Sequence, residues 1–176
     1  SHHNHYNIAF KPPAESKETE ILGIEKNVSR LGNIIPVALL KPINIGGANI
    51  SRVTLNNYQN VEDIKLGIGD IVEVSRSNDV IPYLKRIVKH ANSKVDLPVV
   101  CPSCGTKLVR NGVHLQCTND DCEEMNIQRT TYWVVECEMD QVSESTVRQL
   151  FQYGIIKGVE DLYTMDYSKL QNLQGF

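Results

Sequence analysis

The sequence predicts a multidomain chain, mainly β plus α: a five-stranded barrel, then a four-cysteine zinc ribbon, then helices. Three observations predict it. Five short runs of β-favouring residues occupy the front half, with one helical spacing between the third and the fourth. Four cysteines crowd into residues 101–122. Beyond them the hydrophobic period changes from that of a strand to that of a helix.

Taken in order, the strand runs are "ETEILGIEKNVSR", "IIPVALLKPINI", "ANISRVTL", "DIVEVSR" and "VIPYLKRIVKH", with alternation clearest in Val72 and Val74 and in Leu84, Arg86 and Val88. Between the third and fourth, "NNYQNVEDIKLGIGD" spaces Tyr58, Val61 and Ile64 as a short helix, which Gly67 and Gly69 end. Five strands with a helix in that place are the order of an OB barrel. The polar stretch "NSKVDLPVV", which contains Pro98, marks a domain boundary.

The next segment, "CPSCGTKLVRNGVHLQCTNDDC", spaces Cys101 and Cys104 by two residues and Cys117 and Cys122 by four. Paired disulfides and a metal site are the two chemistries open to it. Two short knuckles can each aim two sulfurs at one point, whereas a disulfide across a two-residue gap is geometrically awkward. The expectation is a closed tetrahedral zinc site of Cys101, Cys104, Cys117 and Cys122, which leaves no position for a catalytic water and so serves the fold. His114, inside the loop, could stand in for one cysteine; four matched cysteines make that unnecessary. After the ribbon, "NIQRTTYWVVECE" and "SESTVRQLFQYG" read as helices, the second capped by Ser143 and ended by Gly154, and a third starts at Asp166 in "DYSKLQNL". Cys137, on the first of these beside Trp133, is expected as a buried thiol.

Composition narrows the function. The chain has 176 residues, 41% of them hydrophobic, and a net charge of −3. Residues 1–98 carry 12 basic and 10 acidic side chains; residues 99–176 carry 6 and 11. Bulk charge therefore gives no support to nucleic-acid binding, and any such role rests on local sites in the front half. No signal peptide or membrane-length apolar run is visible, so an intracellular, cytoplasmic chain with no membrane partner is expected. His2, His3 and His5 read as part of a flexible connector.

With these residues in hand, the chain resembles the middle of an NAD-dependent DNA ligase from Ile8 to Phe176. "AFKPPAESKET" resembles the last nucleotidyltransferase motif, "SRLGNIIPVALLKPI" and "ISRVTLNN" the early OB strands, "GIGDIVEVSRSNDVIP" the fourth strand and following loop, and the four cysteines the ligase zinc finger. "VEDLYTMDYSKLQNLQGF" is similar to the start of the helix-hairpin-helix domain. The implied domains are 1–15, the end of the adenylation domain; 16–97, the OB fold; 98–125, the zinc finger; and 126–176, a partial helix-hairpin-helix domain.

The resemblance implies roles only where residues match. Lys11 would contact the adenylate phosphate, although Pro12 stands where the family usually has an aromatic. Arg30 would meet the DNA backbone, with Arg52 and Asn56 on the neighbouring strand; a guanidinium fork suits phosphate oxygens. Val80 and Ile81, between Asp79 and Pro82, would press into the minor groove, on the same face as Arg30. A plain surface or core role is the competing reading for each. The implied partners are nicked duplex DNA and, for the whole enzyme acting as a monomer, NAD+ and Mg2+. Two departures stand out. No Lys-x-Asp-Gly nucleophile motif occurs, the closest string being "KVDL" at Lys94, so this chain alone is expected to be inactive. The Gly-x-Gly of a first phosphate-binding hairpin is absent from "MDQVSEST", and a second begins only at Gly175. The alternative is a noncatalytic OB and zinc-ribbon module that binds nucleic acid or another protein.

Overall fold

The computed structural model describes residues 13–77, 80–139, 142–166 and 168. They form two compact units: one holds the chain up to Ile24, Val37–Leu55 and Ile64–Val95, the other Glu25–Pro36, Asn56–Asp63 and the chain from Asp96.

The sheet comprises β1 (Glu15–Val28), β2 (Ile34–Ile45), β3 (Ala48–Thr54), β4 (Ile71–Arg76) and β5 (Tyr83–Lys89), in the order β3-β2-β1-β4-β5. The two ends of that order, β3 and β5, also meet, so the sheet closes on itself as an OB fold requires. β2 alternates strictly from buried Ile34 to buried Leu40, and Val72 and Val74 on β4 are both 0% exposed. Each such fully buried aliphatic side chain stabilises the barrel by about 1.5–3 kcal/mol. Asp70, also buried, is not an orphan: it accepts hydrogen bonds from the backbone N–H groups of Gly67 and Ala91.

One expectation for β5 fails. Arg86 and Val88 are exposed, and the half-buried residues are Leu84 and Ile87. Val74 pairs with Leu84 and Val72 with Ile87, with register shifts between. An extra residue on β5 thus moves the inward set from a spacing of two to three, as a β-bulge does.

The helix after β3, α1 (Tyr58–Asp63), is capped by the Asn57 side chain, which accepts from the Asn60 N–H; Tyr58 and Val61 are buried and Ile64 lies past its end. In the same unit are the hairpin β6 (Val109–Asn111) and β7 (His114–Gln116), then α2 (Glu123–Glu136) and α3 (Glu144–Gln152). Ser143 caps α3 by accepting from the Thr146 N–H, and Gly154 follows with φ of 65°. Ile127 and Val134 of α2 pack with Val147 and Leu150 of α3, Ile156, and Leu162 of a 3-10 turn, Val159–Tyr163. The helix expected from Asp166 falls almost wholly outside the described residues.

Two helical expectations need correction. α2 begins directly after Cys122, earlier than Asn126, with Glu123 and Glu124 in the first turn where the helix dipole favours acids. Cys137 is exposed, not buried. The helix stops before it: Glu138 at φ 52° closes the helix end, its N–H donating to the Val135 carbonyl and that of Met139 to the Val134 carbonyl, so the helical spacing no longer applies.

Arg148 on α3 ties the two helices together. Its Nη1 and Nη2 donate to the two carboxylate oxygens of Glu124 at 2.8 and 2.6 Å, and Nη2 also reaches Glu144 at 2.7 Å. The Arg148 guanidinium holds the Glu124 carboxyl below its ordinary range. A depressed carboxylate contributes stability above its unfolded pKa and loses it as pH falls through the folded value. With Arg148 37% exposed, solvent screening limits the pair, and Arg148→Ala should cost about 1 kcal/mol at pH 7. Thermal melts of the two proteins should converge as the pH drops below about 4; a constant gap would contradict the assignment.

Candidate metal centre and nucleic-acid interface

The first knuckle is a tight turn in which Cys101 N–H donates to the Thr106 carbonyl and Gly105 N–H to the Cys101 carbonyl, while Val100 bridges Lys107. The second runs from Cys117, just past β7, to Cys122, whose N–H donates to the Asn119 carbonyl before α2 begins. The four Sγ atoms lie within 4.8 Å of one another. Cys101 and Cys122 are 3.9 Å apart, Cys104 and Cys117 3.5 Å. A disulfide would need about 2.05 Å. A tetrahedron with Zn–S bonds of about 2.3 Å has sulfur–sulfur edges of about 3.8 Å, so the cluster fits one zinc ion with protein ligands only.

The surroundings divide the thiols. The Thr106 hydroxyl, 3.2 Å from Cys104 Sγ, is the main cause that pulls Cys104 down to about 6. Burial pushes Cys117 up to about 12 and Cys122 also upward. Buried thiols of this kind become thiolates beside a cation, which ties the metal to the folded unit. His114, on β7, is not among the clustered ligands.

Arg30 lies in the same unit. It is exposed, and its guanidinium carbon sits 4.0 Å from the centre of the Tyr132 ring. Arg110, Arg129 and Arg148 are paired with carboxylates, whereas among the described residues no carboxylate pairs with Arg30. Asn56, expected on the strand of Arg52, lies past its end at Thr54 instead; it is exposed and takes φ 67°, a left-handed conformation that ends the extended run and that asparagine tolerates.

The other unit brings together Arg52, Val80 and Ile81. They line an open concavity of about 430 Å3 with Asn49, Ser51, Arg76 and Pro82. Val80 is 52% exposed and Ile81 75%. They do not begin β5, which starts at Tyr83, and they are not packed into the barrel core. Arg76, which sequence reasoning missed, donates from Nε to the Val80 carbonyl at 3.2 Å. Its place at the end of β4, four residues before the exposed pair, was the only available signal. Lys11 and the histidines at 2, 3 and 5 lie outside the described residues.

Residues 18–96 match the NAD-dependent DNA ligase OB-fold domain. The whole chain aligns with a DNA ligase of Sulfurihydrogenibium azorense at 37% identity and with one of Persephonella marina at 34%, each over 26% of the relative's length. A DNA ligase of Campylobacter lari is 35% identical over 96% of the chain and 27% of its own length. The chain belongs to the NAD-dependent DNA ligases. It spans about a quarter of the length of these ligase relatives. The closed five-stranded sheet and the four-cysteine cluster agree with that membership. No helix among the described residues of this ligase chain is long and apolar enough to cross a membrane.

Proposed function

We propose that this chain is the DNA-gripping central region of an NAD-dependent DNA ligase that seals nicks in duplex DNA. In this reading residues 16–97 are the OB fold, 98–125 the zinc finger and 126–176 part of a helix-hairpin-helix domain, with 1–15 closing the adenylation domain. The observation that carries the reading is the exposed apolar pair Val80 and Ile81 beside Arg52 and Arg76, within the residues that match the ligase OB fold.

Each group has a physical task. Arg30, Arg52 and Arg76 suit the planar, charged oxygens of phosphates, which set register and orientation without reading sequence. Val80 and Ile81 suit a minor groove, where apolar wedges distort base steps, and a nick makes that distortion less costly. Asn56 offers an amide at the start of the α1 segment. Cys101, Cys104, Cys117 and Cys122 would hold zinc for structure only. Lys11 would offset charge on the adenylate phosphate, with NAD+ supplying the adenylate and Mg2+ assisting phosphoryl chemistry in the full enzyme, which acts as a monomer. The reaction would run through a lysyl-AMP and a DNA-adenylate.

The sequence contains no Lys-x-Asp-Gly, so this chain alone should not take up AMP. Incubation of the purified 176-residue chain with radiolabelled NAD+ should leave it unlabelled. A covalent adenylate on the chain would overturn the assignment of its role as grip without chemistry.

A further inference from the structure

Arg30 lies in the turn between β1 and β2. Ser29 closes a local turn, accepting from Gly32 N–H at its carbonyl and from Asn33 N–H at Oγ. The next three backbone carbonyls are then each taken by a group from the cysteine ribbon or α2. Arg129 Nε donates to the Arg30 carbonyl at 3.1 Å, Gln116 Nε2 to the Leu31 carbonyl at 2.9 Å, and the N–H of Cys117 to the Gly32 carbonyl at 2.8 Å. Asn33 bridges to Gln116. Gly32, at φ 83°, sits so close that a Cβ there would collide with the Cys117 carbonyl and press on Met125. The side chain is fixed as well, because its guanidinium lies over the Tyr132 ring.

We propose that Gln116, Cys117, Arg129 and Tyr132 form a clamp that positions Arg30 for a DNA phosphate, so that the metal ribbon sets the grip on DNA through Arg30 without touching DNA itself. The proposal rests on the reading of Arg30 as a phosphate contact. A guanidinium stacked by its face keeps its N–H edge open, which is the edge a phosphate oxygen needs. Pairing with a carboxylate, as in Arg110 and Arg148, would occupy that edge. One of the four clamp groups is the backbone of a cysteine in the metal cluster, so order in the ribbon and order at Arg30 are linked through a single residue.

The test uses a full-length ligase carrying this chain, with equilibrium binding to nicked duplex measured across salt concentrations and with zinc content and melting midpoint recorded for every variant. Tyr132, 45% exposed, can lose its ring without opening a core cavity. Tyr132→Leu should weaken binding about two- to fivefold, Tyr132→Phe should restore it, and Tyr132→Leu should add nothing when Arg30→Ala is already present. Gln116→Leu, which frees the Leu31 carbonyl and leaves all four cysteines in place, should act in the same direction and decides the matter should Tyr132→Leu lose zinc. Arg30→Ala with a weakened, flatter salt response but Tyr132→Leu and Gln116→Leu like the unaltered enzyme would overturn the clamp and leave the Arg30 contact standing. Arg30→Ala without effect would remove both. Losses of equal size with and without Arg30 would also overturn the clamp, because they would show that Tyr132 acts elsewhere.

Discussion

Cys117→Ser is expected to lose the bound zinc and to lower the melting midpoint of the chain by about 10 °C or more. The buried Cys117 sulfur is one of four that meet within 4.8 Å. Three thiolates and a serine hold zinc poorly, and what is lost is folding free energy, since a cysteine ribbon this short has little apolar core of its own. A loss of several kcal/mol shifts the midpoint by roughly 2–4 °C per kcal/mol for a chain of this size. The Arg30 loop should loosen with it, because the Cys117 N–H holds the Gly32 carbonyl. Cys137→Ser supplies the contrast: that thiol is exposed and outside the cluster, so zinc content should be unchanged and stability should stay within about 0.5 kcal/mol of the unaltered protein. Metal analysis and calorimetry on both variants check the pair of results.

The second large effect concerns the apolar turn. Val80→Ala with Ile81→Ala should leave the fold intact, since these side chains are 52% and 75% exposed and surface truncations of this kind cost little stability. Nick sealing by a full-length ligase with both changes should nevertheless fall by roughly one to two orders of magnitude, as expected when two aliphatic wedges that bury on binding are removed at about 1 kcal/mol or more each. Sealing assays at limiting enzyme, with melting curves alongside, separate this from unfolding. Arg76→Ala should show a smaller loss in the same direction, because Arg76 holds the Val80 carbonyl and so the aim of the turn.

How much of this was legible in the sequence depended on the distance over which each residue acts. β2 was readable in its bounds because Ile34 to Leu40 form an unbroken apolar run, although which of them face inward was not, and the cysteine cluster because short fixed spacings already imply a common point. β5 was misread because its register against β4 shifts, and a bulge leaves no mark in a string of hydrophobic and polar letters. α2 was placed three residues late because Cys122 serves both as a clustered sulfur and as the residue before the helix. Cys137 looked buried from its helical spacing, which holds only while the helix continues. Tyr132 and Arg129 were invisible as partners of Arg30: nothing local links them, and all three clamp hydrogen bonds end on backbone carbonyls that carry no sequence signature.

Under the proposed function, this region grips DNA by a phosphate contact at Arg30 and an apolar insertion at Val80 and Ile81. The most direct measurement is the salt dependence of nicked-duplex affinity in a full-length ligase, compared between Arg30→Ala and the Val80→Ala, Ile81→Ala pair. Loss of a phosphate contact should flatten the logarithmic salt slope by about one counterion, whereas loss of the apolar wedge should lower affinity at every salt concentration with the slope unchanged. Slopes and affinities equal to those of the unaltered enzyme in both variants would contradict the account.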